Sequence, residues 1–142
     1  MILSCRVRFS ALPGGDILTI LAFDDMIGLY ELKNVLKELL GDKMHFRGFD
    51  SAEKVLKAAE EHGYDIVIAD VAYQNRSGML LLGELSFRFP RTNYIGAAAI
   101  PRESDAMTLH HLHGGYIIKP YDREKLADTL SNLRYSVKNA VQ

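Results

Sequence analysis

The stretch Ile17-Leu18-Thr19-Ile20-Leu21-Ala22-Phe23-Asp24-Asp25 is an almost unbroken apolar run halted by two acids. A run of this length without polar alternation predicts a strand covered on both faces, as in a parallel sheet. Behind the acids, Leu29, Leu32, Val35, Leu36, Leu39 and Leu40 recur with helical spacing until Gly41. The strand-to-helix unit then repeats along the chain.

Met44–Phe49 reads as the second strand. Asp50, with Glu53 three residues on, predicts a capping box for a helix over 51–62 that Gly63 closes. The third strand, 65–69, has Ile66, Val67 and Ile68 at its centre and stops at Asp70. A loop running to Gly78 leads into a helix over 79–87 with Leu81, Leu82 and Leu85 on one face, and Pro90 follows it. Residues 94–99 form the fourth strand, 104–113 a short helix broken at Gly114-Gly115, and Tyr116-Ile117-Ile118 the fifth strand. Asp122 caps a last helix whose inward stripe is Leu126, Leu130, Leu133 and Val137.

Five strands alternating with five helices imply an α/β fold with a doubly wound, five-stranded parallel sheet. Right-handed crossovers leave few topologies, and the flavodoxin-like order 2-1-3-4-5 suits this length. Residues 16–138 would be the folded domain, with 1–15 an N-terminal extension and 139–142 a short tail. The extension ends in Pro13-Gly14-Gly15, and its 2–9 portion reads equally as an extra strand or a tail.

The 142 residues suffice for one domain with its own core. An apolar content of 48% and a charged content of 25% are those of a globular chain. A net charge of -1 argues against nucleic-acid binding by this domain. Cys5 is the single cysteine, so no internal disulfide forms, which suits a reducing cytoplasm. No apolar run approaches the ~20 residues of a membrane helix. His110, His111 and His113 lack acidic or cysteine partners at ligand spacing and read as a partly exposed helix surface.

In a doubly wound sheet, ligands bind beyond the carboxyl ends of the strands, where the strand order reverses. The first strand ends in Asp24-Asp25, the third in Asp70 and the fifth in Lys119-Pro120. Folding therefore brings three carboxylates and one ammonium to one edge. Clustered carboxylates repel, and a hard cation such as Mg²⁺ relieves the repulsion through oxygen ligands. A carboxylate in such a pocket can attack phosphorus and form an aspartyl phosphate. Taken singly, an acid after a strand is more often a helix cap; it is the joint pattern that is specific.

Residues 17–25, 64–78 and 116–122 resemble the three signature stretches of two-component response-regulator receiver domains, and the resemblance spans about 16–135. It implies that Asp70 is the phosphoacceptor, fed by a sensor histidine kinase or phosphotransfer protein. It further implies that Asp24 and Asp25 hold Mg²⁺ together with Asp70 and the Ala72 backbone carbonyl, and that Lys119 contacts the phosphoryl group. The Lys119-Pro120 bond is expected to be cis, with Tyr116 as the switch aromatic. A homodimer through the face of the fourth helix, fifth strand and fifth helix is the family expectation. The stretches around Ala106-Met107, Leu112-His113 and Leu133-Arg134-Tyr135 are similar to receivers that precede LytR-type DNA-binding domains.

The chain departs from that pattern at the end of the fourth strand, where receivers carry a Thr or Ser. Ala98 falls there, with Ala99 or Ile100 if the alignment slides, and no hydroxyl occurs between Thr92 and Ser104. Gln74 and Ser77 stand where receivers usually have proline and often an acid. Weakened switch coupling is the expectation, and any catalysis is limited to Mg²⁺-dependent autophosphorylation or autodephosphorylation. The competing reading is a pseudo-receiver that docks or dimerises without phosphate.

Overall fold

The computed structural model describes residues 17–134 and the backbone of Ile2–Arg6. The helical spacing behind Asp25 folds as α1, Met26–Leu40, and Gly41 ends it at a φ of 56°. The expected strands form in register as β2 (Leu18–Phe23), β3 (Met44–Phe49), β4 (Ile66–Asp70), β5 (Asn93–Ala98) and β6 (Gly115–Ile118). Their order is β3-β2-β4-β5-β6, all parallel, which is the doubly wound order read from the sequence. A sixth strand, β1 (Ile2–Arg6), joins the edge antiparallel to β3, so part of the N-terminal extension belongs to the sheet. Val137 and Tyr135 lie outside the described residues.

Alternation along the strands sorts the core into two layers. Ile20 and Ala22 of β2 point to one face, where they pack with Leu29, Leu32 and Leu36 of α1 and with Leu126 and Leu130 of α5 (Arg123–Ser131). Leu21 and Phe23 point to the other. There they meet Val55 of α2 (Ala52–Glu61), Leu81, Leu82 and Leu85 of α3 (Tyr73–Arg88), and Leu109 of α4 (Glu103–His111). Every residue of β5 is buried, as a central strand covered on both sides requires.

Helix boundaries differ from the sequence reading most at three places. The last helix, read as carrying Leu133 in its inward stripe, ends at Ser131, and Leu133 packs on the core from the irregular segment after it. Ser51, not Asp50, caps α2, its hydroxyl accepting from the Lys54 N–H at 3.4 Å. The segment read as a loop up to Gly78 already coils from Tyr73, yet Gln74, Asn75 and Arg76 all have left-handed φ values of 50°, 56° and 66°. Regular helix begins only after them. Non-glycine residues there cost about 1–2 kcal/mol each, so this turn is held by its surroundings.

Gly78 explains how α3 comes so close to the end of β4. A Cβ at this position would overlap the backbone carbonyl of Asp70, which cannot swing aside. Gly78→Ala is expected to destabilise the fold by about 3 kcal/mol, the upper range for overpacking. A urea titration checks this, and an unchanged midpoint would mean that α3 docks differently.

Candidate functional site

The carboxyl ends of β2, β4 and β6 deliver Asp24, Asp70 and Lys119 to one place. The Lys119 ammonium donates to Asp70 Oδ2 at 2.7 Å and to Asp24 Oδ1 at 2.9 Å, and lies 2.7 Å from Asp24 Oδ2. Asp24 is fully buried. Its remaining hydrogen bonds come from the Tyr121 hydroxyl at 2.8 Å and the Asp25 N–H at 2.8 Å. The Lys119-Pro120 peptide bond is cis.

Asp70 is oriented at both oxygens. Oδ1 accepts the backbone N–H groups of Ala72 and Tyr73 at 2.9 and 3.0 Å, and Oδ2 faces Lys119. The Tyr73 ring packs on Phe23 at 5.3 Å between centroids, so the start of α3 is anchored to the end of β2. Asp25 caps α1: its Oδ1 accepts from the Gly28 N–H at 2.7 Å while the side chain stays exposed. The capping role and a ligand role coexist here, because the cap uses one oxygen.

Burial pushes the Asp24 carboxyl above its ordinary value, and the Lys119, Tyr121 and Asp25 hydrogen bonds pull it back only in part. Burial alone would lower Lys119, but its bonds to Asp24 and Asp70 outweigh this and hold the ammonium above its ordinary value. Tyr121 is raised well above the usual tyrosine value by burial and by the Asp24 carboxylate, so its hydroxyl stays a donor. A raised folded-state carboxyl holds its proton where the unfolded chain has released it. Relative to Asp24→Asn, the protein is therefore expected to lose stability as pH climbs from about the unfolded value of 3.8 through the raised one. Urea denaturation at a series of pH values measures this, and a flat difference would contradict a burial-dominated Asp24.

The three carboxylates do not form a ready cation cage. Among the described residues no three His, Cys, Asp or Glu side chains gather as metal ligands. The physical reason is that Lys119 sits between Asp24 and Asp70, while Asp25 turns to cap α1. The donor chemistry still fits Mg²⁺, which takes one or two carboxylates and keeps several waters. Asp25 and Asp70 can supply those oxygens; Asp24, buried and committed to Lys119 and Tyr121, is not free to ligate directly.

Beside Asp70 opens a hollow of about 490 Å³, whose far wall carries Ala99, Ile100, Arg102, Arg76 and Asp105. Arg76 reaches from the left-handed turn to the buried Asp105 of α4 in an ion pair. Ala98 ends β5 buried in the same core layer against which Tyr116 packs. The Tyr116 hydroxyl accepts from the Arg102 N–H at 3.1 Å.

No family model matches the chain, and no curated protein matches it. Solved structures do. The TrrA response regulator of Thermotoga maritima, in complex with Mg²⁺ and beryllofluoride, superposes with a TM-score of 0.67 at 22% identity, over 79% of this chain and 95% of that one. CheY of Borrelia burgdorferi, in its complex with CheX, beryllofluoride and Mg²⁺, gives 0.69 at 18% identity, over 83% and 90%. A response regulator receiver domain from Clostridium thermocellum gives 0.66 at 25% identity, over 82% and 93%. The fold is that of CheY-like receiver domains.

In this receiver fold Asp24, Asp25, Asp70, Ala72 and Lys119 lie at the carboxyl edge of the sheet and Ala98 ends β5, whereas Tyr116 sits inside β6, near its start. The narrower likeness to LytR-type receivers finds no support in these neighbours and is dropped. Sequence reasoning missed Tyr121, Gly28 and the Arg76–Asp105 pair. Gly28 carried a signal: glycine inside a helix is costly, and here a Cβ would overlap the Asp24 carboxylate. No helix among the described residues is long and apolar enough to cross a membrane.

Proposed function

We propose that this chain is a response-regulator receiver domain of a two-component system that takes a phosphoryl group onto Asp70. The observation that carries the reading is the triad of Asp24, Lys119 and Asp70, with one ammonium within 2.9 Å of both carboxylates. Burying an acid and a lysine beyond the ends of three strands does little for a packing-only domain, since a buried ion pair seldom adds stability over apolar residues. It does prepare a site for a dianionic group.

In the proposed reaction an Asp70 carboxylate oxygen attacks the phosphorus of a phosphohistidine on a sensor kinase or phosphotransfer protein. The new O–P bond forms as the donor's P–N bond breaks, and the electron pair leaves with the imidazole. The N–H groups of Ala72 and Tyr73 orient the nucleophile, and Lys119 moves its positive charge onto the arriving phosphoryl oxygens. Asp25, Asp70 and the Ala72 carbonyl would hold Mg²⁺, which neutralises charge between carboxylate and phosphoryl group. Asp24 acts through Lys119, keeping the ammonium aimed at the site. A cytoplasmic setting and a partner face made by α4, β6 and α5 belong to the same reading.

Ala98 is the departure that sets the strength of the switch. A hydroxyl there would donate to a phosphoryl oxygen, a bond to a charged acceptor worth ~1.5–3 kcal/mol. Ala98→Thr is therefore expected to tighten beryllofluoride binding about tenfold or more. Calorimetric titration in Mg²⁺ checks this, and unchanged affinity in a folded variant would remove Ala98 from the coupling role.

The missing hydroxyl also favours a second reading, a pseudo-receiver that works by docking alone. Incubation with acetyl phosphate and Mg²⁺ separates the two. The receiver reading expects an adduct of roughly 80 Da, one phosphoryl group, that disappears when the metal is chelated. No adduct under any condition supports the pseudo-receiver instead.

A further inference from the structure

We propose that Arg76 is a second cationic ligand for the phosphoryl group on Asp70, stored on Asp105 until that group arrives. The inference rests on the receiver reading above and assigns a role to a residue outside its signature stretches' charged set.

Arg76 and Asp70 line the same hollow, whose wall at the end of β5 offers only Ala99 and Ile100. Where a hydroxyl is lacking, the cations lining that space are the guanidinium groups of Arg76 and Arg102, and Arg76 is the one on the turn that follows Asp70. Arg76 is incompletely used in its present place. It meets Asp105 through Nη2 and Oδ1 alone, and among the described residues Arg76 Nη1 and Asp105 Oδ2 are both buried without a hydrogen-bond partner. A guanidinium paired on both prongs would have little reason to leave; this one has an unsatisfied donor and shares a hollow with the phosphoacceptor.

The backbone supports the same exchange. Gln74, Asn75 and Arg76 are held left-handed without a glycine among them, so a small rearrangement of this turn is favoured once its anchor is released. Arg76 is also about one-third exposed, leaving its side chain room to turn, whereas the side chain of Asp105 is only 3% exposed. Moving Arg76 onto a phosphoryl oxygen would strand Asp105 in the interior. The first turn of α4 must then shift to bring that carboxylate to water. The same end of α4 holds the Tyr116 hydroxyl through the Arg102 N–H. Phosphate would thus reach α4 and Tyr116 through the Arg76–Asp105 exchange and not through a β5 hydroxyl.

Beryllofluoride with Mg²⁺ is the probe, titrated calorimetrically against wild type, Arg76→Met, Asp105→Asn and the double variant. Arg76→Met is expected to weaken binding about tenfold. Asp105→Asn frees the guanidinium and is expected to tighten binding, a gain the double variant loses. The Arg76 Nε–Hε resonance of the wild type gives an independent readout and is expected to shift on addition of the probe. Binding by wild type and Arg76→Met alike, with that resonance unmoved, overturns this inference and leaves the receiver reading intact. No binding by wild type overturns both.

Discussion

Lys119→Met is expected to abolish the acetyl-phosphate adduct and to lower stability together. The ammonium is the only cation within hydrogen-bond distance of Asp24 and Asp70 among the described residues, and 17% of its side chain is exposed. Removing one member of a buried pair typically costs 3–5 kcal/mol, because the other charge is left uncompensated; about 3 kcal/mol is expected here, since water reaches part of the lysine. The loss is capped from below as well. Asp24 already has a raised carboxyl, so without Lys119 it takes up a proton and keeps the Tyr121 hydroxyl as a partner. The variant is therefore expected to fold, to melt roughly 10 °C lower, and to be partly rescued at acidic pH. Thermal melts at pH 5 and pH 8, with intact-mass measurement of the adduct, check both halves. A variant as stable as wild type would mean that the triad is not a coupled unit.

Asp70→Asn is expected to separate chemistry from stability. The amide keeps an oxygen to accept the Ala72 and Tyr73 N–H groups, so the start of α3 stays in place. It loses the charge facing Lys119 and the nucleophilic oxygen. The adduct should vanish entirely while the urea midpoint moves little, since Asp70 is only partly buried and Lys119 retains Asp24. An adduct that persists in a folded Asp70→Asn would place the acceptor elsewhere.

The fold was legible because its strands are apolar on both faces. Ile20 and Leu21 each enter a different core layer, so β2 could not be written as an alternating strand. The edge of the sheet was legible for a topological reason: with the strand order fixed, Asp24, Asp70 and Lys119 had nowhere else to go. What lay hidden was contact chemistry. Tyr121 reads as one more core aromatic, and nothing in its neighbours announces a hydroxyl bonded to a buried acid. The turn at Gln74–Arg76 contains no glycine or proline, so its left-handed backbone left no trace in composition. Arg76 and Asp105 are brought together by α4 packing, which no local spacing encodes. The antiparallel β1 was undecidable from residues 2–9, because a single apolar run beside arginines suits an edge strand and a tail equally.

The assignment of Asp70 as the acceptor is tested most directly by locating the modified residue. Treating the acetyl-phosphate product with borohydride reduces an aspartyl phosphate to homoserine, which tandem mass spectrometry of the peptides places in the sequence. Homoserine at position 70 is the expected result. Homoserine at another acid, or at none in a sample that carries the adduct, contradicts it.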